Sequence, residues 1–151
     1  MADVRSMSLE DIAARIDAIA AEPDAAQAAE RADELLALGE GILKIWLTAH
    51  DKVPTGDKVE SFRLLALHRQ GARGEPSFNA CRETCRELVY HYNLVRLDPA
   101  HPDTARRLRL AAMVARHMAL FVGGKLEVAG LGEFCCAARP LRQQEAAAET
   151  V

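Results

Sequence analysis

The fold is decided by residues 77–122, SFNACRETCRELVYHYNLVRLDPAHPDTARRLRLAAMVARHMALFV. In the first half, apolar residues recur at steps of three and four, the period of one helix face; they are Phe78, Cys81, Cys85, Leu88, Tyr92 and Val95. The second half has a matching stripe, which consists of Leu110, Val114, His117 and Phe121. The connection Asp98–Pro102 contains two prolines and cannot be helical throughout. Because it is short, it predicts an antiparallel hairpin of two neighbouring helices.

Helix signals continue on both sides of this hairpin. Ser8 followed by Asp11 resembles a capping box, and it opens a first helix that Pro23 closes. The other predicted helices run from Asp24 to about Lys52, from the N-cap Asp57 to about Gln70, from the cap Ser77 to about Leu97, and from Asp103 or Thr104 to Gly123-Gly124. A further helix over Lys125–Ala138 is expected from its apolar spacing, although two glycines interrupt it.

The second helix has an apolar stripe with two glycines inside it. The stripe consists of Leu35, Leu38, Ile42, Trp46, Ala49 and Val53. Gly39 and Gly41 weaken the helix by about 1 kcal/mol each relative to Ala. They therefore indicate either a kink or a close contact between helices.

No segment has the period-two alternation of a strand, and no repeat occurs. The sequence therefore predicts an all-α fold, a helical bundle of about five to six helices with a central antiparallel helical hairpin. We expect one domain over residues 1–138 and a flexible tail over residues 139–151, which are polar and rich in Ala.

Composition excludes several classes of function. The net charge of −3 argues against a nucleic-acid binder, whose affinity depends on phosphate neutralisation. Arg109, Arg116 and His117 interrupt the longest apolar stretch, so no membrane span is expected. The N-terminal residues have no apolar signal region, which predicts a cytoplasmic location and four reduced cysteines. The preference for Arg over Lys and the many Ala residues are typical of GC-rich bacteria.

Three potential metal ligands are predicted to lie at one height in the bundle. Cys81 and Cys85 are one turn apart on the apolar face of the fourth helix, and His117 lies at the centre of the stripe on the fifth. In an antiparallel hairpin, residues at equal height have numbers that sum to about 200, which places His117 between the two cysteines. Two Cys and one His suit zinc or copper. His50 or His91 is the candidate fourth ligand.

The same residues also fit an ordinary core. Cysteine is often a small buried apolar residue, and His117 could hydrogen-bond a carbonyl or Tyr92. No C-x-x-C, H-E-x-x-H, phosphate-loop or G-x-S-x-G pattern occurs in the chain. The metal hypothesis therefore depends on inferred geometry alone.

The first functional hypothesis is a non-enzymatic interaction or regulatory protein that associates with itself or with a protein partner. It is favoured by the amphipathic helices, by the lack of a catalytic motif and by Tyr90, which lies opposite the cysteine stripe and should be an exposed interface residue. The alternative is a small bundle that binds a metal or redox cofactor through Cys81, Cys85 and His117. An enzyme that uses His91 or His117 as acid–base ranks below both.

Overall fold

The computed structural model describes residue 4, residues 7–74 and residues 82–130. These residues form five α-helices and one short 3-10 helix, and they contain no strand beyond an isolated bridge between Val59 and Phe62. The α-helices are α1 (Leu9–Ala21), α2 (Ala28–Ala49), α3 (Arg63–Arg73), α4 (Arg82–Leu97) and α5 (Thr104–Val128), and the 3-10 helix is Ala25–Gln27. The prediction of an all-α helical bundle is confirmed. None of the described helices is long and apolar enough to cross a membrane.

Helix α1 begins at the predicted capping box. The Asp11 backbone N–H donates to Ser8 Oγ over 3.1 Å, and the Ser8 N–H donates to Asp11 Oδ2 over 3.5 Å. The helix ends at Ala21, before Pro23, and buries Ile12, Ile16 and Ile19. These side chains hold α1 against α2 and α5.

Helix α2 packs against each of the other four α-helices and is the centre of the bundle. Its predicted stripe is buried from Leu35 to Trp46, but the helix ends at Ala49. Val53 therefore lies beyond the helix and is 85% exposed, so its predicted place in the stripe is wrong. A Cβ atom at Gly39 would lie 2.7 Å from Leu88 Cδ2, which confirms that this glycine permits a close contact between helices.

Helix α3 begins later than predicted, with Phe62 as its N-cap in place of Asp57. Val59 and Phe62 pair through two backbone hydrogen bonds of 3.0 and 2.8 Å. Between them Glu60 and Ser61 have positive φ values of 52° and 73°, which a right-handed helix does not allow. The helix can therefore start only after this turn, at Arg63.

Helices α4 and α5 form the predicted central hairpin. They pack on each other across the short connection that follows Leu97, and α5 starts at Thr104 as expected. The predicted end of α5 at Gly123-Gly124 is wrong, because the helix continues to Val128. Glycine costs a helix interior only about 1 kcal/mol, and burial of Val122 and Leu126 offsets that cost. The expected separate helix therefore begins inside α5, and its part from residue 131 onward lies outside the described residues.

Candidate functional site

Two of the three predicted metal ligands, Cys85 and His117, lie in the described part of the chain. Cys85 is fully buried, as predicted, but Cys81 lies outside the described residues. His117 is exposed, so the prediction that it lies at the centre of a buried stripe is wrong. The set Cys81, Cys85 and His117 as a whole stays a prediction, and one of its three members faces solvent.

The buried face of α5 is rotated away from the predicted stripe. It combines four alanines with larger apolar side chains; the buried residues include Leu108, Ala111, Ala112, Val114, Ala115, Met118, Ala119, Val122 and Leu126. Of the predicted stripe, Val114 is buried, whereas Leu110 and Phe121 are only partly buried. The alanines and the larger side chains of this face are almost equally buried, since Ala112, Leu108 and Met118 are all fully buried.

The described residues contain no group of three His, Cys, Asp or Glu side chains that could hold a metal ion. His50, a predicted fourth ligand, lies against Trp46 with the ring centroids 4.2 Å apart. His91, the other candidate, is buried, and its Nε2 lies 3.8 Å from Glu87 Oε1. Neither histidine belongs to a set of three ligands in this part of the chain.

Tyr90 is 59% exposed, which confirms the predicted exposure of this residue. Its ring meets that of His91 edge to face, with centroids 5.3 Å apart. Leu97 follows seven residues later and is 86% exposed. Because seven residues are nearly two turns, Tyr90 and Leu97 lie on one outer face of α4, about 10 Å apart along the axis.

The opposite side of α4 is fixed to α2 by polar contacts. The Tyr92 hydroxyl donates to Asp33 Oδ1 over 3.0 Å, and Arg96 Nη1 lies 3.6 Å from Asp33 Oδ2. Burial, and then the hydrogen bond and charge of Asp33, raise the pKa of the Tyr92 hydroxyl. The Phe62 ring packs edge to face on Tyr92 at 5.7 Å. These contacts hold α4 so that Tyr90 and Leu97 point outward.

A pocket between α3 and α4 was not predicted from the sequence. We call it the basic pocket; its volume is about 280 Å³, and it is lined by Val59, Leu65, His68, Arg69, Ala72, Arg73, Arg82 and Arg86. The arginines come in two pairs, each with the four-residue spacing that puts both side chains on one side of a helix. Val59, Leu65 and Ala72 supply the apolar part of the wall.

A larger cleft of about 710 Å³ adjoins the basic pocket and shares Val59, Arg69 and Arg73 with it. It adds Lys52 and Lys58, and also the carboxylate of Asp57. Among the described residues, six Lys or Arg residues and one acidic residue line the two cavities. A protein of net charge −3 therefore has a strongly basic region at one place on its surface.

The loop that forms one wall of these cavities is held by α3. The Thr55 N–H donates to Gln70 Oε1, and Gln70 Nε2 donates to the Val53 carbonyl, both over 2.8 Å. Arg63 Nε donates to the Thr55 carbonyl over 2.9 Å. The cavity shape therefore depends on specific hydrogen bonds between the loop and the helix.

The arginines of the basic pocket differ in their ionic partners. Glu60 Oε2 lies 2.9 Å from Arg86 Nη2, and this hydrogen bond and charge raise the pKa of Arg86. Arg69, Arg73 and Arg82 make no salt bridge with any described residue. The four-residue spacing of the arginines is a signal in the sequence, but Glu83 and Glu87 follow Arg82 and Arg86 directly, a pattern that is also typical of an ordinary charged helix surface.

Comparison with known proteins adds no relationship to this picture. No protein-family model, curated protein or solved structure matches the chain.

Proposed function

We propose that the protein is a non-enzymatic helical protein that acts by association with another protein chain, which it contacts through the outer face of α4. The observation that carries this proposal is the exposure of Tyr90 and Leu97, two large side chains on the same face. Arg86, one turn before Tyr90, is also exposed. Tyrosine and arginine are among the residues that interfaces favour, and a central aromatic residue often carries much of the binding energy.

The rest of the helix supports a role for this face in contact rather than in folding. The core side of α4 consists of Cys85, Leu88, His91 and Val95, which are buried. Tyr90 and Leu97 are not needed to cover that core, so burying them in a partner would stabilise the complex with no loss inside the monomer. Complete burial of a Leu side chain contributes on the order of 2 kcal/mol.

Site-specific photo-crosslinking tests the proposal in cells that naturally produce the protein. A benzophenone amino acid replaces Tyr90 in one variant and Met113 in a control, because Met113 is 65% exposed on a different helix. We expect a discrete crosslinked product from position 90 and none from position 113. Leu97→Ser should reduce the product from position 90 at least about fivefold, since one of the two contacts is lost.

The mass of the product separates self-association, at twice the protomer mass, from a different partner. Equal products from positions 90 and 113, or no product from position 90, would contradict the proposal. Circular dichroism and a thermal melt of the Leu97→Ser variant check that the fold is intact, which we expect because Leu97 is exposed.

A further inference from the structure

We infer that the basic pocket binds the phosphate group of a small phosphorylated ligand. The inference goes beyond the proposed protein association, because the pocket lies between α3 and α4 and shares only Arg86 with the outer face of α4, not Tyr90 or Leu97. It is carried by the shape of the cavity and by the guanidinium groups around it.

The first argument is positive charge that the described residues do not compensate. Of the four arginines that line the pocket, only Arg86 forms a salt bridge with a described residue, Glu60. A concave site lined by one sign of charge focuses the field and raises the local concentration of counter-ions. The apolar wall of Val59, Leu65 and Ala72 limits screening by water, so a bound anion would interact more strongly there than on an open surface.

The second argument is the match between donors and ligand. A phosphate monoester carries a charge of about −1.5 to −2 at neutral pH and has three terminal oxygens. It can therefore accept hydrogen bonds from several guanidinium groups at once, and Arg binds phosphate in a bidentate geometry. A single carboxylate has two oxygens and one charge, and it would leave most of the arginines uncompensated.

The third argument is room for the rest of the ligand. The basic pocket, at about 280 Å³, lies just below the range of about 300–1,000 Å³ that is typical of sites for whole small molecules. The adjoining cleft of about 710 Å³ extends the site past Arg69 and Arg73 toward Lys52 and Lys58. A second phosphate group in that cleft would meet further positive charge, so pyrophosphate is the preferred probe.

Isothermal titration calorimetry with pyrophosphate and with inorganic phosphate tests the inference. We expect both to bind, pyrophosphate more tightly. The double variant Arg69→Gln with Arg82→Gln should weaken pyrophosphate binding at least about tenfold. It removes the charge-assisted hydrogen bonds that two guanidinium groups would donate to the ligand, and such bonds contribute strongly to the binding free energy. Both side chains are exposed, so the variant should keep its fold.

The matched control is Arg106→Gln with Arg109→Gln, which removes the same charge from the start of α5. That end of the hairpin is about 22 Å from Arg82, given the length of α4. We expect a change of about twofold or less in the control. Equal weakening of both double variants would overturn the inference, because it would indicate attraction by the net charge alone.

A third variant should bind pyrophosphate more tightly than the wild type. A gain in affinity cannot result from loss of the folded structure. Glu60→Gln removes the carboxylate that pairs with Arg86 and should tighten pyrophosphate binding about threefold. Unchanged or weaker binding in Glu60→Gln, or no binding of pyrophosphate to the wild-type protein, would overturn the inference. So would citrate binding as tightly as pyrophosphate, or a single-stranded RNA binding more tightly.

Discussion

Glu34 is a carboxylate that lies almost fully buried between α1 and α2, with 3% of its surface exposed. Arg15 Nη2 of α1 donates to its Oε1 over 2.9 Å, and Arg31 of α2 donates to the same oxygen. Burial alone would raise the pKa of this carboxyl, but the hydrogen bonds and charges of Arg15 and Arg31 outweigh burial and lower the pKa. The charged form is therefore the one that stabilises the fold.

We expect Glu34→Gln to destabilise the protein by about 2 kcal/mol at pH 7, because it removes charge-assisted hydrogen bonds from two arginines. Urea denaturation measures the difference. A carboxyl whose pKa is lowered by folding contributes stability above its unfolded pKa, and this stability is lost as the pH falls through the folded pKa. The difference between wild type and variant should therefore shrink below about pH 4. A difference that stays constant into acid would contradict this account of Glu34.

Glu40, six residues later on α2, has the opposite behaviour. Burial raises the pKa of its carboxyl, and the charges of Lys44, Arg63 and Lys58 only partly oppose that effect. A raised carboxyl pKa means that ionisation destabilises the fold as the pH rises from the unfolded pKa through the folded one.

Glu40→Gln should therefore stabilise the protein at pH 7, since the amide removes the half-buried charge at nearly constant volume. The gain should vanish as the pH falls toward about 4, where the wild-type carboxyl is protonated. The same urea measurements check this prediction, with Glu34→Gln as the comparison of opposite sign. A destabilised Glu40→Gln variant at pH 7 would show that the ion pairs outweigh burial.

At the scale of the helix, two glycines in similar secondary structure have different roles. Gly39 of α2 lies against α4, and a Cβ atom there would be 2.7 Å from Leu88 Cδ2 and 3.4 Å from Leu64 Cδ1. Leu88 is 1% exposed and has little room to move. At Gly124 of α5, a Cβ atom would meet no atom of another described element within 4 Å.

We expect Gly39→Ala to lower the free energy of unfolding by about 1 kcal/mol, because overpacking costs more than the gain in helix propensity. Gly124→Ala has the same propensity gain, and no described residue imposes a steric cost on it, so it should stabilise the protein by up to about 1 kcal/mol. Chemical denaturation of the two variants side by side measures both effects. The explanation would be wrong if both variants shifted stability in the same direction.

Some helix boundaries could be predicted because their signals are local. The capping box at Ser8 and the prolines before α5 act on their own backbone, so the starts of α1 and α5 were correct. The start of α3 was not, because the backbone pairing of Val59 with Phe62 and the positive φ of Glu60 override a plausible N-cap at Asp57. The end of α5 also depends on tertiary burial, which the pair Gly123-Gly124 does not reveal.

The orientation of α5 shows a different limit. The predicted stripe, Leu110, Val114 and Phe121, includes His117 and therefore predicted a buried histidine. In the structure Ala111, Ala112 and Ala115 face the core, and His117 is exposed. Alanine occurs on buried and exposed faces alike, so periodicity alone does not show which face of a helix an alanine belongs to. A modest error in the predicted rotation of α5 was therefore enough to place one predicted ligand in solvent.

At the scale of the whole molecule, the basic pocket exists only because separate segments come together. Its wall combines the turn that contains Val59 with α3 and α4. No single segment has a binding motif, and a net charge of −3 conceals the local excess of basic residues. The helices could therefore be predicted from sequence, whereas this candidate site required the packed structure.

The arrangement of the helices also predicts an order of local unfolding. Helix α2 packs against all four other α-helices, and α5 packs against α1, α2 and α4. Helix α3 has only 11 residues and packs chiefly against α2 and α4. Its outer side carries the exposed Arg69 and Arg73 and adjoins both cavities. The free energy that holds α3 in place is therefore smaller than that of the central helices.

We expect the amide protons of residues 63–73 to exchange through a local opening, at least about tenfold faster than the slowest amides of α2 and α5. Hydrogen exchange followed by mass spectrometry in a series of low urea concentrations measures this. The exchange of the slowest amides of α2 and α5 should show the full denaturant dependence of global unfolding. The exchange of the α3 amides should show a weaker dependence, and the two sets of opening free energies should become equal near the unfolding transition. If the exchange of the α3 amides showed the full denaturant dependence already at the lowest urea concentrations, the five helices would unfold as one unit. The basic pocket would then be as rigid as the core. If the prediction holds, a ligand that joins α3 to α4 should slow exchange in α3 selectively, because binding to the closed form stabilises it against opening.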